Sequence, residues 1–498
     1  MATVIKNFNE LVSHGNIEGR RIVLEILEEG LRASDPYDNV RKLLSFNGRI
    51  LKLSRIGMPP YTTDGVIIKR PLVFDLSKFK NIYVVGGGKA AQRMAKAVED
   101  VLGDLITEGH VNAKKGEKVE LKKVKVTLAG HPLPDEDSVE GSKRILEILK
   151  KARKDDLVFF VESGGASALM ALPGPGISLK DIQEVTRMLY FECGATMWDT
   201  NTVRWNLMIL RGKEERYVGD ATVIALHTDE RPPGIKVNVR WQSKGPGSYM
   251  DAVNILKKYG LWDRIPANVK SYLEKADPQY GPLRLEEVRG KPHYHFRVMG
   301  PEYMLNAAAK KARELGLRAH IIVSSLSDIE AKYAGEMFAY LAKEVEVYGR
   351  PFKPPCILIC GGELIVTVGK SKGLGGRNQE FVLSSAPRIS ESENIVIASV
   401  DSDGTDGPTD AAGGIVDGYT IKRLSEQGLD IFSELEEHNS YHALSSIKDL
   451  IFTGARGTNV QDLRIAYIAG RSEAHIQSLP DHVVRQLKNL NYTNKIQQ

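Results

Sequence analysis

Asn81-Ile-Tyr-Val-Val-Gly-Gly-Gly-Lys89-Ala-Ala-Gln-Arg-Met-Ala-Lys-Ala-Val-Glu-Asp-Val-Leu102 begins as a short apolar run, breaks at three glycines and a lysine, and continues as alanine-rich helical sequence. This is the pattern of a strand, a glycine turn and a helix, and it recurs. Lys123–Leu128 runs into Gly130-His131-Pro132-Leu133-Pro134-Asp135 and a helix to Lys151, and Leu157–Val161 runs into Ser163-Gly164-Gly165 and another helical segment. Further strands are expected over 221–226 and 320–324, with an N-terminal helix over 19–33 and a long helix over 328–348. Apolar runs without alternation mark strands buried on both faces, so the expected fold is α/β, a parallel sheet covered by helices.

Tyr348-Gly-Arg-Pro-Phe-Lys-Pro-Pro355 breaks helical continuity and reads as a linker, which places a domain boundary at 350/351. Beyond it, Cys356–Cys360 and Leu364–Val368 flank Gly361-Gly362-Glu363, a hairpin signal. A glycine loop, Gly373-Leu374-Gly375-Gly376-Arg377, precedes a helix expected from Asn378, and a strand over 394–400 empties into Asp401-Ser402-Asp403-Gly404-Thr405-Asp406-Gly407. The second domain is therefore also α/β, with antiparallel content. It ends near 470, leaving 471–498 as a tail.

The chain has 498 residues, which at roughly 150 per domain suits two or three domains. Hydrophobic residues make up 42% and charged residues 26%, as in folded globular proteins. A net charge of +5 without a polybasic tract does not imply nucleic acid, and clusters such as Lys114-Lys115 and Lys122-Lys123 read as solvated loops or strand flanks. Three cysteines, Cys193, Cys356 and Cys360, show no Cys-x-x-Cys spacing and fit buried thiols in a reducing compartment. No apolar leader or membrane-length apolar stretch is seen, so the expectation is a cytoplasmic protein with no membrane partner.

Several groups have the composition of a binding or catalytic site. Gly86-Gly87-Gly88-Lys89 closes a strand and opens a helix, where backbone N–H groups and the helix dipole favour an anion and the lysine adds a full charge. The dinucleotide fingerprint is met only in relaxed form, and Ala90 stands where a Walker A motif needs Ser or Thr. Ser163-Gly164-Gly165-Ala166-Ser167 is a second such turn, and at the carboxyl ends of one parallel sheet the two would line one crevice. It is not a nucleophile elbow, because Leu169 stands where that motif needs glycine. Arg377 stands beside the helix expected from Asn378 with a guanidinium suited to phosphate or carboxylate. Asp401, Asp403 and Asp406 read either as holders of nucleotide-associated Mg²⁺ or as turn caps. His293-x-His295 and the Met188–Trp198 aromatic stretch read as structure and core.

These motifs, with Asn201-Thr202-Val203-Arg204 and Gly457-Thr458-Asn459-Val460, resemble in order the glycerate 2-kinase family over about residues 20 to 465. The resemblance implies a Rossmann-like three-layer domain over 1–350 and a smaller α/β MOFRL-type domain with a mixed sheet over 351–470. It implies ATP-dependent phosphorylation of the 2-hydroxyl of D-glycerate in an interdomain cleft, with a divalent cation, by a monomer or homodimer. Lys89 and Arg377 fall on the family's functional lysine and arginine; Gly87, Gly88, Ser163, Gly164, Gly165, Ser167, Asn201 and Arg204 would bind the nucleotide, and Asp401 and Asp403 the metal. Where relatives carry Lys-His after the Asn-Thr-Val-Arg motif, this chain has Trp205-Asn206, and the 227–247 segment and Thr453–Asn459 also depart from the pattern. A kinase for a different small hydroxy or sugar acid, or a non-catalytic nucleotide or metabolite binder, are the alternatives.

Overall fold

A computed structural model of the chain describes residues 3–54, 61–63, 66–228 and 247–470. The tail from 471 and most of the divergent 227–247 segment lie outside the described residues. The chain forms two compact units, one of Ser34–Gly300 with Gly457–Val460, the other of Met1–Ala33 with Pro301–Arg456 and the chain from Gln461.

The first unit is built on a sheet whose parallel strands run in the order Lys125–Ala129, Glu108–Lys114, Asn81–Gly87, Asp156–Glu162, Thr222–Thr228, His293–Met299. In chain order these are the third, second, first, fourth, fifth and sixth parallel strands, the Rossmann arrangement, so the direction of winding reverses between Asn81–Gly87 and Asp156–Glu162. Both strands are buried nearly end to end, because their Ile, Val, Leu and Phe side chains meet covering helices on each face. Helix Glu136–Lys151 follows a capping box in which Asp135 Oδ1 accepts from Ser138 N at 2.9 Å. Antiparallel Tyr61–Thr63 and Val66–Ile68 extend the sheet, and Leu44–Phe46, Ile50–Leu53 and Leu72–Asp75 form a small separate one. Helices Leu179–Thr186, Met197–Asn206, Tyr249–Lys258 and Ala267–Lys275 bury Ile182, Val203, Leu256 and Val269 in a core of their own.

The second unit carries a mixed sheet in the order Arg318–Val323, Cys356–Gly362, Asp462–Ile468, Ile395–Asp401, Gly413–Asp417, Leu450–Ile451, with only the first pair parallel. Helix Ile17–Ala33 belongs here. Gly30 lies so close to Leu463 that a Cβ would come 2.6 Å from its Cδ2, and buried Arg20 pairs with Asp417 and Asp449.

Three expectations are corrected. The observed division falls at 300/301, because strand Arg318–Val323 pairs with Cys356–Gly362 and helix Ala331–Tyr348 packs on helix Arg377–Ile389, where Ser385 Oγ donates to Gly335 O at 3.0 Å. The 348–355 stretch is a crossover within that unit. The expected hairpin does not form: Cys356–Gly362 pairs instead with Asp462–Ile468, while Ile365 makes an isolated bridge to Glu330. Of the aromatic stretch, Met188 and Leu189 are core, Phe191 is exposed in a π-helical turn, Arg187–Glu192, that moves successive side chains off one face, and Met197 and Trp198 are exposed in the first turn of helix Met197–Asn206.

Candidate functional site

In the first unit the two glycine turns meet at the point where the winding reverses. Gly88 has φ +130°, and a Cβ there would lie 2.3 Å from Ser163 Oγ, so only glycine allows the approach. The turns are stitched together by Lys89 N donating to Gly164 O at 2.9 Å and Ala90 N donating to Ser163 Oγ at 2.8 Å. Gly165, at φ +86°, faces Lys89 and His131; a Cβ there would lie 3.2 Å from Lys89 Cγ and from His131 Cδ2. The helix after Lys89, Ala91–Leu102, has no side-chain cap, which leaves amide donors at its N-terminus beside the lysine.

Ser167 extends this cluster to helix Met197–Asn206, because its Oγ accepts from Trp205 Nε1 at 2.8 Å. The guanidinium of Arg211 lies 4.3 Å from the Trp205 ring centroid, and its Nη1 is 2.5 Å from Glu162, the last residue of strand Asp156–Glu162. The residue before Trp205, Arg204, donates from Nη2 to Asn201 Oδ1, one turn earlier on the helix, at 2.5 Å. Burial pushes the Arg204 guanidinium down to about 10, and the like charge of Arg211 adds to the shift. Sequence reasoning passed over Glu162 and the wedge of Trp205 under Arg211, whose pairing is non-local.

In the second unit Arg377 is the first residue of helix Arg377–Ile389. Its Nε and Nη2 donate to the two oxygens of Asp462 at 2.8 and 2.9 Å, and Nη2 also donates to Asp401 at 2.7 Å and lies 3.3 Å from Glu363. Antiparallel register brings these carboxylates together: Asp462 stands opposite Asp401 on one side and opposite Gly362, the neighbour of Glu363, on the other. Burial alone would lower the pKa of Arg377, but Asp462, Glu363 and Asp401 hold it well above its ordinary value. Asp462 was not singled out from sequence. The clue available was an acidic residue opening the apolar run Leu463–Ile468.

Asp401 and Asp403, the expected metal holders, are engaged in hydrogen bonds within their own loop and with Arg377. Asp401 gives Oδ2 to Arg377 and Oδ1 to Asp403 N at 2.9 Å, and Asp403 Oδ1 accepts from Thr405 N and Oγ1 at 2.9 and 2.8 Å. Asp406, raised above its ordinary value by burial, caps the helix by accepting from Asn378 N and Gln379 N. These are turn and helix caps plus an ion pair, and among the described residues no group of three His, Cys, Asp or Glu is placed to hold a metal. His293 and His295 are buried on one face of their strand, 3.5 and 3.1 Å from Glu215.

Residues 22–274 match the DUF4147 domain family, described as a domain of unknown function, and 356–462 match the MOFRL family. The chain is 37% identical over 455 residues to a glycerate 2-kinase of Pyrococcus horikoshii, covering 91% of this chain and 98% of that one. This chain belongs to the glycerate 2-kinase family. A D-glycerate 2-kinase of Thermotoga maritima is also 37% identical, over 431 residues that take in 85% of this member and all of that protein. The crystal structure of a glycerate kinase from T. maritima superposes with a TM-score of 0.71 at 33% identity, covering 90% of this member of the family and 99% of that chain.

Proposed function

We propose that this chain is an ATP-dependent kinase that phosphorylates the 2-hydroxyl of D-glycerate to give 2-phosphoglycerate. Family membership supports the reaction class. The observation that carries the site is the junction of the two glycine turns at the reversal of the parallel sheet, where Lys89 stands beside an uncapped helix N-terminus. Phosphoryl transfer asks mainly for positioning and for neutralisation of charge on the equatorial oxygens, with little covalent chemistry from the protein. Backbone donors around Gly87, Gly88, Gly164 and Gly165, with Ser163 and Ser167, suit the phosphates of ATP. Lys89 and Arg377 are the two cations this reading gives to the chemistry. A divalent cation bound with ATP would neutralise phosphate charge, and no step is assigned to Asp401 or Asp403.

The test is ATP consumption by the purified protein in Mg²⁺ across D-glycerate and a panel of small hydroxy acids, with the product's phosphate position assigned by NMR. Turnover of D-glycerate to 2-phosphoglycerate is the expected result. Turnover of another acid alone would favour the second reading, a kinase for a different acid, which draws support from Trp205 standing on Ser167. Nucleotide binding without any turnover would identify a binder.

A further inference from the structure

Four arginines among the described residues are buried: Arg20, Arg204, Arg211 and Arg464. Three of them meet carboxylates. Arg20 pairs with Asp417 and Asp449, Arg211 with Glu162, and Arg464 with Asp462. Arg204 is 4% exposed and has a neutral hydrogen-bond partner, Asn201; it has no carboxylate partner among the described residues, and its Nε is buried without an acceptor. Arg211, itself cationic, is its charged neighbour. An uncompensated buried cation is costly to keep, and a second cation beside it raises the cost. A fold carries such a charge at a site where the counter-charge arrives with a ligand.

The placement says what that ligand is. Arg204 immediately precedes Trp205, which hydrogen-bonds Ser167, and Ser167 closes the turn on which Lys89 packs. The anion-seeking guanidinium thus adjoins the phosphate-suited turn through one side chain while lying on a different element, the helix Met197–Asn206. The turn already provides glycine amides, an uncapped helix start and a lysine for phosphate. What remains is a planar fork, which matches a carboxylate bidentately.

We propose that Arg204, seconded by Asn201, is the receptor for the carboxylate of the acceptor acid, and that neither residue serves the nucleotide. The identity of that acid as a hydroxy acid rests on the kinase reading above; the capture of a small carboxylate does not.

The experiment is calorimetric titration of the purified full-length protein with D-glycerate, glycerol, inorganic phosphate and ADP, for wild type, Arg204→Gln and Arg204→Lys. Wild type should bind D-glycerate and not glycerol, which lacks the carboxylate. Arg204→Gln should weaken D-glycerate by about 100-fold or more and leave ADP within about twofold; Arg204→Lys, keeping charge without the fork, should fall between. Because no carboxylate among the described residues compensates the charge, Arg204→Gln should have a Tm equal to or above that of wild type. A loss of ADP or phosphate affinity with D-glycerate unaffected would overturn the assignment in favour of the nucleotide. A marked fall in Tm would overturn it in favour of a structural role, and failure of wild type to bind D-glycerate or any other small carboxylate of the panel would end it. If wild type binds D-glycerate but consumes no ATP with it, the kinase reading fails and the carboxylate receptor stands.

Discussion

The guanidinium of Arg377 neutralises Asp462 and Asp401 in the free protein, so its removal does two things at once. Arg377→Ala takes a guanidinium from buried Asp401 and leaves Asp462, across the paired strand, to Arg464 alone, and about 3 kcal/mol of stability should go with it. Turnover should fall by orders of magnitude, and the fall in Tm shows that this loss is not catalytic alone. Lys89 stands half-buried at the rim of a turn held by backbone bonds, so Lys89→Ala should cost about 10²- to 10³-fold in kcat with Tm changed by no more than ~2 °C. Near-normal kcat in that variant would take Lys89 out of the chemistry. A third case is Asp449. Burial alone would raise its pKa, but Arg20, with His14 and Arg423, holds it at about 2, below the ordinary 3.8. The folded state therefore releases the proton more readily than the unfolded state. The stabilisation is full above about pH 4, is lost as pH falls toward 2, and is worth roughly 2 kcal/mol. Asp449→Asn should flatten the acid limb of a stability-against-pH curve over that window; an unchanged limb would show that the pair does not set it.

At the scale of elements, the site is made by turns rather than by side chains alone. Gly88→Ala would drive a methyl into Ser163 Oγ, which is held in place by Ala90 N, and so push apart the two turns that present Lys89. A loss of about 1–3 kcal/mol and a collapse of turnover are expected. Gly103 is the control, since its φ of +51° is also positive but a Cβ there meets nothing within 4 Å. Gly103→Ala should cost only about 1 kcal/mol and leave kcat intact, and equal losses of activity in both variants would mean that turn packing is not what matters. The strand, glycine turn and helix of 81–102 was readable because apolar run, glycine cluster and alanine-rich periodicity are all local signals. The Asp401–Asp406 loop reads two ways from sequence because short-spaced aspartates look alike whether they bind a cation or cap turns; the hydrogen bonds to Thr405, Asn378 and Gln379 show that Asp403 and Asp406 do cap turns.

At the scale of the whole molecule, the chain's first thirty-three residues belong with the unit that also contains its mixed sheet. Removing residues 3–33 should strip amide-exchange protection from strands Ile395–Asp401 and Asp462–Ile468 while Asn81–Gly87 and Asp156–Glu162 stay protected; the opposite pattern would contradict the division. For the same reason a fragment starting at 351 should not fold, since it lacks strand Arg318–Val323 and the helix that packs on Arg377–Ile389. By itself the sequence determined the α/β class, the strand–turn–helix units, the glycine turns with Lys89, and Arg377 at a helix start. Each follows from backbone preferences and periodicity within a dozen or so residues. Tertiary structure alone decided which strands are neighbours, that Arg20 grips Asp449 from 429 positions away, that Arg377 sits among carboxylates, and that Arg204 meets none among the described residues. Those outcomes depend on register and packing between distant segments, where a one-residue slip would turn each side chain to the other face.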